Sequence, residues 1–186
     1  MKKRWFALPL LLLATTACYF FYNDRTGLPK RQQMLLQQPP LPADTVITRL
    51  VVRKGAREMD AYDAAGKLLK TYPIALGFNP IGHKQFEGDG KTPEGIYTIN
   101  DRNPHSGYHK NLGISYPNEA DLAYAAQQGK SAGGAIKIHG LRNGAGSIGA
   151  HHLRRDWTHG CIAVTNPEMD ELFQYVQHQA IIEILP

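Results

Sequence analysis

Cysteine is nearly absent from this chain: its 186 residues hold two, Cys18 and Cys161. There is also no internal repeat, no glycine-rich dinucleotide fingerprint and no phosphate-binding loop, so nucleotide chemistry has no foothold. Metal-ligand spacing is missing as well. His139, His151, His152, His159 and Cys161 invite a zinc reading, but His-x-Cys fits neither Cys-x2-Cys nor His-Glu-x-x-His. No metal and no organic cofactor is therefore expected. His83, His105, His109 and His178 follow no partner pattern and read as surface or loop histidines. A basic surface is lacking too, despite a formal net charge of +5. Three of those charges are Lys2, Lys3 and Arg4, and the +2 that remains gives no support to nucleic-acid binding.

Those three charges open the most readable part of the N-terminus. They precede an unbroken run of apolar or small residues, 5–17, that ends in Ala14-Thr15-Thr16-Ala17-Cys18. Charge, apolar core and small residues in that order form an export signal. Residues 1–22 are read as a signal peptide or an N-terminal membrane or lipid anchor. Cleavage at the small residues, lipidation at Cys18 and retention as a barely bilayer-spanning segment all stay open. A membrane tether of one kind and a periplasmic or cell-envelope location are the expectation. Cys161 is then left without an intramolecular partner in an oxidising compartment. A lone thiol kept there points to chemistry rather than structure.

Residues 23–43 read as a linker. Gln32-Gln33, Gln37-Gln38 and Pro39-Pro40-Leu41-Pro42 bury little and favour an extended chain. Residues 44–186 read as one mainly β domain. Short β-branched or apolar runs fall at 45–52, 57–62, 67–76, 95–99, 112–116, 135–139 and 180–185, with Asp63-Ala64-Ala65-Gly66 as a hairpin turn. Strands this short between Gly- and Pro-rich turns predict a sandwich or barrel. Two helices pack on it. One covers 118–128 and stops at Gly129. The other starts at Asn166 as N-cap with Pro167 in the first position, and Met169, Leu172, Phe173 and Val176 form one apolar face.

The chemistry concentrates in Thr158-His159-Gly160-Cys161. A thiol is a strong nucleophile only when its thiolate is favoured, and an imidazole is the usual means. His159 lies two residues before Cys161, and His139 ends the strand-like run Ala135-Ile136-Lys137-Ile138-His139. The residues alone leave the base open between the two. They lean to His139, because a strand end is held more rigidly than a Gly-containing loop. Gly160 permits a tight bend, so the N–H groups of Gly160 and Cys161 are expected to point at one spot, as an oxyanion hole requires. Trp157 reads equally as the floor of a substrate groove or as packing beneath the loop.

Together these residues match a known pattern. The stretch from His139-Gly140 through Ser147-Ile148-Gly149 to Thr158-His159-Gly160-Cys161-Ile162 resembles the bacterial L,D-transpeptidase catalytic domain, the YkuD type. A second match is Gly88-Asp89-Gly90-Lys91-Thr92-Pro93-Glu94-Gly95-Ile96-Tyr97, and the resemblance covers 45–186. It implies a β-sandwich or barrel-like catalytic fold with two packed helices, acting on peptidoglycan stem peptides without a cofactor. Cys161 matches the nucleophile, which takes an acyl group from a tetrapeptide stem with release of D-Ala. An amine acceptor, on a stem peptide, a protein or a D-amino acid, then resolves the thioester. His139 matches the general base, the Gly140 carbonyl its orienting group, and His159 a supporting residue on the oxyanion side. The alternative is a cysteine hydrolase of the cell wall, an L,D-carboxypeptidase or amidase, using the same site.

Two departures accompany the match. Many members carry Arg two positions after the cysteine, where Ala163 stands here, and the segment 149–158 is longer than in the common motif. The form Asp-Trp-Thr-x-Gly-Cys-Ile-Ala-Val-Thr-Asn resembles one branch of the family, so the departures belong together. Alanine cannot make a bidentate carboxylate contact. Arg142, Arg154 and Arg155 are the candidates to replace it.

Overall fold

The structure, a computed structural model, describes residues 26–186. The signal or anchor read into 1–22 and the fate of Cys18 lie outside them. Among the described residues no helix is long and apolar enough to cross a membrane. The elements run α1 Lys30–Leu36, β1 Ile47–Arg53, β2 Glu58–Tyr62, β3 Leu68–Pro73, β4 Gly95–Ser106, β5 His109–Ile114, α2 Glu119–Gln127, β6 Lys137–His139, β7 Ile162–Ala163, α3 Asn166–Tyr175 and β8 Val176–Leu185. A 3-10 segment, Gly146–Arg154, separates β6 from β7.

All eight strands form one curled sheet in the order β3-β2-β1-β8-β4-β5-β6-β7. The mainly β architecture is the expected one. Pairing is antiparallel except for β1 with β8 and β6 with β7. The β2–β3 hairpin closes where Asp63 Oδ1 accepts from the Ala65 and Lys67 amides at 2.9 Å each, with Gly66 at φ +77°. β4 is longer than its sequence run suggested, because it serves two partners. Gly95–Thr98 pairs with β8, and a register shift after Ile99 turns the remainder onto β5.

The two ends of the sheet then meet. Beyond β3 the chain continues alongside β7: the Ala75 amide donates to Ala163 O at 2.9 Å and the Ala163 amide to Ala75 O at 2.8 Å. Further along, the Phe78 amide donates to Thr158 O and the Thr158 amide to Leu76 O. This seam closes the curl. Inside it lie Ile47, Leu50 and Val52 of β1, Ile182 and Ile184 of β8, and Leu112, Ile138 and Ile162, all at most 1% exposed. Each such side chain contributes roughly 1.5–3 kcal/mol by leaving water.

Two expectations change. Residues 23–43 are not extended throughout: α1 packs beside β3 with Leu28 and Leu35 buried, while Gln38 Nε2 donates to Thr71 O at 2.6 Å and the Leu41 amide to Glu171 at 2.7 Å. Gln38, counted as solvated linker, hydrogen-bonds the domain, while Gln33 bonds back to Leu28 O within the segment. The cap of α3 is Thr165 rather than Asn166. Thr165 donates through both its amide (3.0 Å) and its hydroxyl (2.7 Å) to the Glu168 carboxylate, the reciprocal half of a capping box. Met169 and Leu172 are fully buried beneath it.

Glu168 is itself buried, and burial pushes its carboxyl up to about 7. A group that binds its proton more tightly when folded stabilises at low pH and loses that contribution as pH rises through the folded value. Unfolding free energy should therefore fall between about pH 4.5 and 7. Chemical denaturation across that range should show Glu168→Gln with a flatter profile than the parent; an unchanged slope would remove Glu168 as its source.

Candidate active site

The parallel pairing of β6 with β7 sets Ile138 beside Ile162 and His139 beside Ala163. Cys161 immediately precedes β7 and falls level with Lys137, two residues before His139, so both candidate groups lie on the same face of the ladder. They line a single cavity of about 340 Å³ together with Tyr108, Asn111, Lys137, Trp157 and His159.

His139 is buried, and its Nδ1 lies 2.7 Å from the Gly140 carbonyl. A carbonyl only accepts, so Nδ1 carries the proton and Nε2 keeps its lone pair. Tyr108 and Trp157 hold the ring at centroid distances of 4.8 and 5.7 Å. The His139–Gly140–Leu141 turn is fixed from α3. Asn166 Oδ1 accepts from the Leu141 amide at 2.8 Å, and a Cβ on Gly140 would sit 2.7 Å from that same oxygen. Asn166, read from sequence as a helix cap, braces the imidazole instead.

Cys161 is half-buried and its Sγ lies 3.6 Å from Ala135 O. Ala135 reaches that position at φ +55°, a left-handed conformation that costs a non-glycine residue of the order of 1 kcal/mol. Burial pushes the thiol up; the Lys137 backbone N–H and the Lys137 and Lys84 charges pull the other way without cancelling it. Burial also lowers the His139 imidazole, against the Gly140 bond that raises it. The resting pair is therefore thiol and neutral imidazole, not thiolate and imidazolium.

The turn before the cysteine is built by Thr158. Its hydroxyl donates to Cys161 O at 2.7 Å and accepts from the Gly160 amide at 3.1 Å. That corrects one expectation: the Gly160 N–H is committed to Thr158 and does not point free at the site. What Gly160 supplies is backbone freedom. It stands at φ +130°, and a Cβ there would lie 2.6 Å from Lys91 O. His159 is exposed, its ring edge-on to Phe78 at 5.5 Å.

The second motif braces this turn. Thr92 is fully buried, and its hydroxyl accepts from the Gly77 amide at 3.1 Å. Buried Lys54 donates to Gly82 O, Thr92 O and Glu94. Of the anion candidates, Arg142, Arg154 and Arg155 all line a second cavity of about 530 Å³, with Trp157 as the wall it shares with the first. Among the described residues no group of three or more His, Cys, Asp and Glu side chains is placed to hold a metal ion.

Sequence reasoning passed over Asn111, Lys137 and Ala135. Asn111 pairs directly with His139 across β5 and β6, and its Oδ1 is buried without a partner. Nothing in β5 alone marks Asn111; as the direct cross-strand partner of His139 it faces the same side of the sheet, which only the register reveals.

A neutral pair has a testable signature. Alkylation of Cys161 by iodoacetamide should keep accelerating past the ordinary thiol value of 9.0, with no plateau near neutral pH. A plateau below pH 7 would mean a stable ion pair instead. Gly160→Ala, forced against Lys91 O, should cut that rate severely while Gly55→Ala, which meets only ordinary contacts and no left-handed backbone, should not.

The model of the YkuD family, the L,D-transpeptidase catalytic domain, matches residues 47–184. YafK of Escherichia coli (strain K12), provisionally named an L,D-transpeptidase, is 35% identical over 128 residues, which is 66% of this chain and 44% of YafK. Among solved structures, the helical cell shape determining protein Pgp2 from Campylobacter jejuni (K307A mutant) superposes with a TM-score of 0.58 at 29% identity, over 78% of this chain and 49% of Pgp2. Bd1075 of Bdellovibrio bacteriovorus shares the fold at 24% identity and a TM-score of 0.50, over 79% of this chain and 54% of its own. The chain thus spans less than half the length of the curated relative it matches. On the match over 47–184, this chain belongs to the YkuD family of L,D-transpeptidase catalytic domains.

Proposed function

We propose that the protein is a peptidoglycan L,D-transpeptidase of the cell envelope, with Cys161 as nucleophile and His139 as base. The observation that supports it best is the tautomer of His139. The Gly140 carbonyl holds the proton on Nδ1, which leaves Nε2 basic in the cavity that Cys161 also lines.

The chemistry follows from a neutral pair. The thiol proton passes to His139 Nε2 as the sulfur attacks the carbonyl of an L-centre to D-Ala bond in a tetrapeptide stem. The tetrahedral intermediate collapses, the C–N bond breaks, and Nε2–H protonates the departing D-Ala amine. A thioester remains on Cys161. An incoming amine gives its proton to Nε2, attacks the thioester carbonyl and expels the sulfur, which recovers the proton. Proton transfer concerted with attack suits this site, since the buried pair disfavours separated charges beforehand. His159 and the backbone of Cys161 flank the developing oxyanion. The likeness to Pgp2, named for helical cell shape, favours a role in remodelling wall already made.

Incubation with isolated tetrapeptide followed by intact-mass measurement should show the protein carrying the stem acyl group on Cys161. Cys161→Ala should carry none and turn over none, and His139→Ala should lose about 10²–10⁴-fold in turnover. Full turnover by Cys161→Ala would sink the assignment. Product masses with and without an added D-amino acid separate transfer from hydrolysis, the alternative outcome at the same cysteine.

A further inference from the structure

The loop between Gly140 and Pro167 carries Arg142, Arg154 and Arg155 but a single acidic residue, Asp156. That acid is spent elsewhere. Its carboxylate is held by Arg57 at 2.7 Å and accepts from the Leu76 amide at 2.9 Å, on the seam side of the chain. None of the three loop arginines forms an ion pair among the described residues, and no acid lines the cavity they share. Three arginines line this cavity with no acid beside them among the described residues, the Arg154 guanidinium lying against Gly27, and like charges so gathered favour an anion.

The rest of the cavity is apolar. Leu141, Ala145, Ile148 and the indole of Trp157 form its walls, so it suits a ligand with aliphatic as well as anionic parts. Its position is equally specific. Trp157 separates it from the catalytic cavity, with the indole centroid 5.7 Å from His139 on one side and 6.3 Å from His152 on the other. An extended peptide advances about 3.5 Å per residue, so a chain crossing this indole reaches from one cavity into the other within a few residues. The indole does not swing freely. Its Nε1–H donates to His152 Nδ1 at 3.4 Å, His152 is buried, and burial lowers its imidazole to about 4, so it stays a neutral acceptor. With Nδ1 accepting, the proton sits on Nε2, a buried donor that has no partner among the described residues.

We propose that this second cavity is a carboxylate subsite for the stem peptide, in which Arg142, Arg154 and Arg155 hold an acid group of the chain whose carbonyl Cys161 attacks. The inference rests on the transpeptidase reading of the first cavity. The ligand is a peptide carrying a carboxylate a few residues from the scissile bond, and the acid is terminal or on a side chain.

The test is direct binding to the full chain carrying Cys161→Ala, which needs no turnover. Calorimetry would compare the tetrapeptide with free carboxylates, the same peptide amidated at its C-terminus, and the peptide amidated on its side-chain acids. Adding Arg154→Gln with Arg155→Gln should weaken the free acid roughly tenfold or more, as losing charge-assisted contacts does. The peptide amidated at the carboxylate that binds should already be weak and lose little more, which identifies that group. Lysine at both positions should recover part of the affinity through charge alone. In the cysteine-containing protein the glutamine pair should raise KM with kcat nearly kept, and should leave iodoacetamide alkylation of Cys161 unchanged. Equal affinity of the glutamine pair and its parent for the free acid overturns the subsite, as does an equal loss for all three peptides. Absence of binding by every peptide overturns the stem-peptide reading with it.

Discussion

The reciprocal pair of backbone hydrogen bonds between Ala75 and Ala163 holds the two ends of the sheet together, and the site is built on that join. Without it β7 would be a two-residue edge strand held only by β6, too short to fix what precedes it. With it, the chain just after β3 becomes the second partner of β7, and the Thr158–Cys161 turn is trapped between Leu76, Phe78 and Lys91. The join demands close approach of backbones. A Cβ on Gly77 would stand 2.2 Å from Gly90 O, and one on Gly90 would overlap the Phe78 ring. Glycine at 77, 90 and 160 is therefore a single requirement, that three chain segments meet with no side chain between them. The Lys91-Thr92-Pro93 stretch takes part as scaffold: its carbonyls and the Thr92 hydroxyl complete the seam.

Much of this was legible in the sequence, and what was not has physical reasons. Strand identities and the α3 apolar face follow from periodicity, and the hairpin at Asp63–Gly66 from turn chemistry. The seam was not legible, since Ala75 and Ala163 are 88 residues apart and carry no pattern that says they pair. β7 is too short for periodicity to register. α1 was hidden by its composition, because glutamines that bond to backbone carbonyls look the same in sequence as glutamines in water. At the site, the candidate residues were readable because Cys161 is one of only two cysteines and the histidines near it fall in a specific pattern. Those that position them were not. Asn166 looked like a helix cap, Gly160 like an oxyanion donor, and Asn111 like nothing at all until register placed it beside His139.

Burial explains the electrostatic state of the pair. Cys161 and His139 sit where water is largely excluded, and both are pushed toward their neutral forms. A separated ion pair there would need strong compensation, and the nearest cations, Lys137 and Lys84, are occupied with Asp101 and Asp89. At the proposed envelope location, neutrality at rest is also protective, because the thiolate is the form that reacts with oxidants. In the proposed reaction, reactivity arises when a bound carbonyl is ready to accept the electron pair as the proton leaves, which ties nucleophilicity to occupancy of the cavity.

The absence of arginine at position 163 follows from the same seam. Ala163 is fully buried, bonded to Ala75 on one side and registered with His139 on the other. A guanidinium there would be sealed away from any substrate at the cost of an unpaired buried charge. The stretch leading into Trp157 remains outside the seam, and the proposed charge recognition lies there. Its extra residues form the kinked 3-10 turn, with Gly149 at φ +50°, that carries His152 beneath the indole and leaves Arg154 and Arg155 exposed beside it. Under the proposed subsite, Arg154 and Arg155 of this segment, with Arg142 before it, stand in for the arginine that position 163 does not hold, and Trp157 sets the spacing between charge and chemistry.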